Sequence, residues 1–235
     1  PPTTPSHTLP ATPLPALTTT NVPADALIGR MLAASGGAAN QRAHSSVRMV
    51  ATGRYDHQGV DVEITTIAAD TKRVDDEVWT AAGKRIGRIR IYYDGSHGGQ
   101  QTTFGQDADA DDLARAARDA TLHPLLDMHA LYDRIAVEGR ATLDGEDVLV
   151  LLLTPKTGDP VRLYVSARTS LIVQRSIGAE TTRYADYKNV DGEIVPMSWT
   201  VHDSLGDKSL RVKEIRFAKT APPDASFAKL ASLKR

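Results

Sequence analysis

Cysteine is absent from the 235 residues, which removes disulfides, thiol nucleophiles and thiolate metal sites together. Long apolar runs are missing as well. The longest, Val148 to Leu153, has the length of a strand and falls far short of the roughly 18 residues a membrane-crossing helix needs. Neither sign of charge is in excess: the formal net charge is -1 and the pI about 6.8. No long-range field draws in polyanions, and no nucleic-acid partner is expected. Aromatic residues make up only 5% of the chain, so an interior of any size has to be lined by aliphatic groups. No phosphate-cradling loop or dinucleotide glycine fingerprint occurs. What is present, 41% hydrophobic and 24% charged residues, is ordinary for a globular chain with one sizeable core.

The first 20 residues hold six Pro and seven Thr, a composition that buries too little apolar surface to offset the entropy of ordering it. Residues 1–22 therefore read as a disordered tether. The start at Pro1-Pro2 has neither the charged beginning nor the apolar stretch of a signal peptide, so a mature or trimmed chain is expected. A folded domain is expected over residues 23–220, with a C-terminal tail at 221–235.

Pro23 suits the first turn of a helix running through Leu27, Ile28, Met31 and Leu32, and Gly36-Gly37 suits its end. Strand patterns follow at 46–55, 60–68, 74–81 and 85–94. A helical interruption opens at Asp107 with an acidic first turn, and a second short helix is read from Pro124 to Tyr132. Strands then resume at 134–142, 146–153, 161–166, 171–176, 181–187, 193–202 and 209–217. Turn signals such as Leu143-Asp-Gly, Asp191-Gly192 and Leu205-Gly-Asp join them too tightly for crossovers, so neighbours should be antiparallel. The expected fold class is α+β, mostly β: a large curved antiparallel sheet of about eleven strands, covered by the N-terminal helix and a mid-chain helical lid. A sheet of this size must curl or be covered, because its apolar face cannot stay wet.

Chemical constellations are weak. Asp107-Ala-Asp-Ala-Asp alternates like a calcium loop but has Asp112 where the loop needs glycine and Arg118 where it needs a bidentate glutamate, so helix capping is the better reading. His123 and His129 are six residues apart, a spacing that does not share a helical face, and they read as surface or helix-end residues. Ser96-His97 lacks the glycine and following helix of a nucleophile elbow. Arg85, Arg88 and Arg90 alternate on a strand and read as a solvated basic stripe. Glu138, Asp144, Glu146 and Asp147 read as solvated turn charges. No catalytic residue, metal or cofactor is expected, and the chain does not read as an enzyme. Aliphatic candidates for the interior are Leu125, Leu126, Met128, Leu149, Leu151 and Leu153; Trp79 and Trp199 either floor a ligand cavity or pack the core.

Several phrases in order are similar to those of the outer-membrane lipoprotein-sorting (LolA/LolB-like) superfamily. They are Ala33-Ala-Ser-Gly-Gly after the first helix, Ser46-Val-Arg-Met-Val-Ala-Thr-Gly, Ile91-Tyr-Tyr-Asp-Gly, Leu143-Asp-Gly-Glu-Asp-Val, and Asp186-Tyr-Lys-Asn-Val-Asp-Gly-Glu-Ile-Val-Pro. Ser96-His-Gly-Gly-Gln departs from the tryptophan that this branch often carries after its Tyr-Asp-Gly phrase. The resemblance implies an open half-barrel whose apolar cavity holds a lipoprotein acyl chain or another lipophilic ligand, with no catalytic residues. On that footing Ile89, Ile91 and Leu131 join the candidates already named as cavity-lining residues. Sheltering about sixteen methylenes recovers on the order of 12 kcal/mol before ordering costs. The implied setting is periplasmic or exported in the bacterial cell envelope, as a monomer, with a possible envelope protein partner. The alternatives are an accessory or sensor domain acting through surface contacts, and a small enzyme on the same scaffold.

Overall fold

The computed structural model describes residues 15–55, 58–203 and 206–233. The first fourteen residues of the expected tether, Leu205 of one expected turn and the last two residues of the tail lie outside the described residues.

Helix α1 spans Ala24–Ala34 and α2 Ala38–Arg42. Four long strands follow, β1 (Ser46–Tyr55), β2 (Val60–Ala69), β3 (Lys72–Ala81) and β4 (Lys84–Tyr93), then β5 (Gly98–Thr102) and the two-residue β6 (Ala108–Asp109). Helices α3 (Leu113–Ala120) and α4 (Met128–Leu131) precede β7 (Arg134–Leu143), β8 (Glu146–Thr154), β9 (Val161–Ser166), β10 (Ile172–Ile177) and β11 (Glu180–Ala185). The chain ends with β12 (Lys188–Val190), β13 (Glu193–Val195), β14 (Ser198–Asp203) and β15 (Gly206–Ala218). Among the described residues, thirteen strands form one sheet in the order β6-β5-β4-β3-β2-β1-β15-β14-β11-β10-β9-β8-β7, and β12 and β13 form a separate hairpin. All pairings are antiparallel, and the curved sheet stays open because β6 and β7, its two edges, do not meet.

The strand count exceeds the expected eleven for local reasons. The phrase read as strand, turn and strand from Tyr184 to Trp199 is broken on both arms: Asp186 takes a left-handed φ of 56° and Pro196 cannot donate to a ladder. The tip, β12–β13, folds away from the sheet toward the end of α1, where Ile194 N–H donates to the Ser35 carbonyl at 3.1 Å and Asn40 Nδ2 donates to the Gly192 carbonyl at 3.2 Å. The acidic run at Asp107 does not start a helix. Asp112 is the N-cap and accepts the Arg115 N–H at 2.9 Å, while Asp107 instead accepts from the Thr102 N–H.

Strand alternation assigns every residue to one of two faces. The inner face carries the helices: Leu27, Ile28 and Met31 of α1 and Met128 of α4 pack on Leu149, Leu151, Leu153, Val161, Leu163 and Val165. Helix α3 lies farther along the same face, with Ala116 against the backbone at Gly98 and Asp119 reaching Arg175 of β10 at 2.8 Å. On the outer face the C-terminal segment covers β2 to β5. Phe227 is buried among Ala69, Val74 and Tyr92, and Gln101 exchanges two hydrogen bonds with the backbone of Leu230.

That covering segment overturns one expectation. Arg88 and Arg90 do share a face, but it is not a solvated stripe: the Arg90 side chain is only 6% exposed and donates to Asp76, at 2.7 Å, and to the Ser226 and Ala228 carbonyls. His123 is likewise not a surface histidine. It lies with His44 beside the buried carboxylate of Glu193, His44 Nδ1 at 2.7 Å and His123 Nδ1 at 3.9 Å, tying the α3–α4 connection, the hairpin tip and the start of β1 together. At the other end of the chain, Thr18 and Arg140 exchange backbone hydrogen bonds of 2.8 Å, so part of the segment 15–22 lies along edge strand β7.

Candidate functional site

The inner face is not uniform. Its β7–β9 half is filled by α1: Leu149, Leu151 and Leu153 are buried, and Leu125 packs beside them. Leu126 and Leu131 are half-buried near the same cover. The other half, on β1 to β4, β14 and β15, holds a second apolar cluster of Ala51, Tyr55, Val60, Val62, Ile64, Trp79 and Leu210, with Ile89, Trp199 and Val201 around it.

Register explains how this second half is laid out. Trp79 of β3 stands opposite Val62 of β2, Val62 opposite Gly53 of β1, Gly53 opposite Leu210 of β15, and Leu210 opposite Trp199 of β14. One continuous row therefore crosses five strands, with a tryptophan at each end. Gly53 at its centre has no substitute, because a Cβ there would come within 2.0 Å of the Ser209 carbonyl oxygen. The row dips where the side chain is missing, and the Leu210 methyl leans over it. Beyond Trp79, Gly87 of β4 performs a second such service: a Cβ there would strike the Phe104 ring at 2.2 Å. Phe104 thus lies across Gly87 and meets Trp79 edge-on at 5.5 Å, while Tyr55 flanks Trp79 at 5.0 Å. Phe104 remains 52% exposed and Ile91 44% exposed, which leaves apolar surface in solvent beside this half of the face.

Two charges reach across the row. Lys208 of β15 and Glu77 of β3, both buried, approach to 3.7 Å with β1 and β2 between their strands. Glu77 also accepts the Trp79 indole N–H at 3.1 Å, and the Lys208 ammonium stands 5.0 Å from the Tyr55 ring centroid. Burial alone would depress the Lys208 pKa, but the charge of Glu77, then Tyr55 and Asp203, outweighs it and the net direction is upward. Burial, chiefly, raises the Tyr55 phenol as well. Groups that hold their protons more tightly when folded contribute stability below their unfolded pKa values and lose it as pH climbs through the folded ones. Stability is therefore expected to fall above about pH 10, and to fall less steeply in a Lys208→Met/Glu77→Leu variant. Denaturant melts between neutral and alkaline pH check this, and identical pH slopes for the two proteins would contradict it.

Polar residues separate the two apolar halves. Arg73 donates to Asp75 at 2.8 Å, Arg175 holds Asp119, and burial raises the Tyr184 phenol between them. Helix α3 sits over this band. Among the described residues no group of three or more His, Cys, Asp or Glu is placed to hold a metal ion, and no helix is long and apolar enough to cross a membrane. Ser96 and His97 form a loop turned around Asp94, whose carboxylate accepts both of their backbone N–H groups. The sequence did not single out Lys208, Glu77, Tyr55 or Phe104. Gly53 and Gly87, glycines inside strand patterns, were the available signal of close approach.

No family model and no curated protein matches the chain. Solved structures do. A LolA superfamily protein from Nitrosomonas europaea aligns with a TM-score of 0.56 at 18% identity, over 88% of this chain and 98% of that one. A DUF1329 family protein from Desulfovibrio piger gives 0.55 at 12% identity over 88% and 98%. A domain described as an outer membrane lipoprotein-sorting protein, from Vibrio parahaemolyticus, gives 0.55 at 13% identity over 85% and 95%. The fold is that of the LolA-like superfamily.

Proposed function

We propose that this chain is a non-enzymatic carrier of the bacterial cell envelope that shelters an acyl chain, of a lipid or a lipoprotein, on the inner face between Trp79 and Trp199. The observation that carries this reading is the apolar row across β3, β2, β1, β15 and β14, flattened at Gly53 and bordered by the exposed ring of Phe104. Val62, Leu210 and Trp79 are themselves buried, so a guest is admitted only when the side chains over the row, Lys208 and Glu77 among them, give way; binding there is by shape and desolvation and needs no reactive group. The lipoprotein-sorting description of the Vibrio structure supports the ligand class by likeness of fold.

Of the cavity candidates, Trp79, Trp199, Ile89 and Ile91 belong to the proposed ligand half. Leu149, Leu151, Leu153 and Met128 belong to the half that α1 already fills. Helix α3 is the proposed lid. It is held to the far strands by Asp119 to Arg175 and by Arg115 to Glu180 at 3.9 Å, pairs with substantial exposure. Such pairs contribute about 0–1 kcal/mol each; the Arg118 guanidinium on the Thr157 carbonyl at 3.0 Å and the buried Ala120 hold the helix more firmly, so opening has to release these as well. The carrier acts as a monomer in the periplasm or another exported compartment, with an envelope protein receiving the ligand.

Native mass spectrometry of gently purified protein, with lipid extraction, tests the reading. A stoichiometric apolar passenger is expected, and stripped protein should gain about 2.7 kcal/mol when a long-chain acyl ligand is supplied at a hundredfold its dissociation constant. Repeated absence of both would favour a second reading: an accessory domain acting through its surface, which the solid packing under α1 supports.

A further inference from the structure

Tyr184 of β11 stands directly opposite Trp199 of β14, so the apolar row ends there in a phenol, at the polar band that α3 covers. Arg175 of β10 acts on that phenol through its charge and holds the Asp119 carboxylate of α3 at 2.8 Å. Among the described residues no other carboxylate pairs with Arg175. Asp75 is held twice over by Arg73, at 2.8 and 3.1 Å, and Glu180, which stands in register with Ile177, faces Arg115 at 3.9 Å. Asp119 has a second partner on its own helix, Arg115 at 3.5 Å, which travels with it when α3 moves. Lifting α3 therefore keeps Asp119 paired and leaves a guanidinium on the inner face without its counter-charge, a costly state until another anion fills the place. Asp119 is 43% exposed, so this contact lies at the edge of the helix, within reach of solvent.

We propose that Arg175 is the subsite for the carboxylate of a long-chain fatty acid, and that Asp119 holds the same place in the empty protein and yields it when the ligand arrives. The subsite presupposes the carrier reading and names its ligand class. A chain laid along the row from Trp79 past Trp199 ends under α3, where its carboxylate meets Arg175 in the two-pronged geometry that guanidinium groups favour. Burial raises the Tyr184 and Tyr132 phenols, against the opposing charge of Arg175 in both, so each keeps a proton to donate beside the carboxylate. An acyl amide or ester brings no charge and leaves Asp119 where it is.

Palmitate and palmitamide, alike in shape and different in charge, decide it when each is titrated at neutral pH into the whole chain stripped of lipid. The wild type should bind palmitate about tenfold more tightly, and Arg175→Met should bind the two alike. Asp119→Asn, which keeps the shape and removes the competing charge, should bind palmitate several-fold more tightly than the wild type and widen the preference. If Arg175→Met does not fold, the Asp119→Asn protein decides alone. Equal binding of both probes by the wild type overturns the subsite and leaves the carrier reading standing, as does a preference that Arg175→Met retains or that Asp119→Asn fails to widen. Binding of neither probe overturns both.

Discussion

Replacing Phe227 with alanine is expected to destabilise the protein by about 3–5 kcal/mol, lowering the melting temperature by roughly 10 °C. The reason lies outside the strands' own pairing. Phe227 is 1% exposed and plugs the outer face between Ala69, Val74 and Tyr92. The same segment delivers the Ser226 and Ala228 carbonyls to the buried Arg90 guanidinium. Losing the ring leaves a void, and it loosens the strap that supplies polar partners to a buried cation, a loss that is costly in itself. Asp224→Ala in the same segment removes only the ion pair that the well-exposed Asp224 carboxylate makes with the Lys72 ammonium, and should cost under about 1 kcal/mol. Equilibrium unfolding of the two variants checks the contrast. A Phe227→Ala protein as stable as the wild type would show that residues 224–230 are not part of the folding unit.

Leu151→Ala should be comparably destabilising, by about 3–5 kcal/mol, yet leave acyl-ligand affinity unchanged. Leu151 has no exposed surface and stands in the cluster with Leu27, Met31, Leu149 and Leu163, a layer of sheet and helix with no room for a guest. Trp79 and Leu210 belong to a different cluster on the other half of the face. The two halves meet across the polar band of Arg73, Asp75, Arg175 and Asp119, so a void under α1 should not reach the ligand row. Calorimetric unfolding together with ligand titration separates the two quantities. A loss of affinity at Leu151→Ala, in protein shown to be folded, would place the ligand under α1 instead.

Alternation carried much of this fold in the sequence. Strand β1 was read at Ser46–Tyr55 and α1 from Pro23, and both are found there, because period-two and helical stripes are properties of a local window. The same local signal could say that Arg88 and Arg90 share a face but not which face is wet, since that depends on a segment more than a hundred residues away. Nothing in Pro222-Pro223-Asp-Ala-Ser-Phe227 announces a strap: it has no period, and its one aromatic is buried by tertiary contact alone. The mid-chain helix was read too early because Asp107 and Asp109 look like first-turn acids, whereas the cap is Asp112. For the proposed site, Trp79 and Trp199 were legible as bulky residues on strands. Their placement in one row, and the meeting of Lys208 with Glu77 across two strands, follow from a strand order that runs from β1 directly to β15.

Both tryptophans of the chain stand on the proposed ligand half and none under α1, which makes intrinsic fluorescence a direct report on where an acyl chain lies. Titration with a long-chain acyl ligand carrying bromine along its chain should quench that fluorescence saturably, with an unbrominated chain competing the effect away. Stoichiometric binding of the brominated ligand without quenching, or quenching that never saturates, would contradict an acyl chain lying between Trp79 and Trp199.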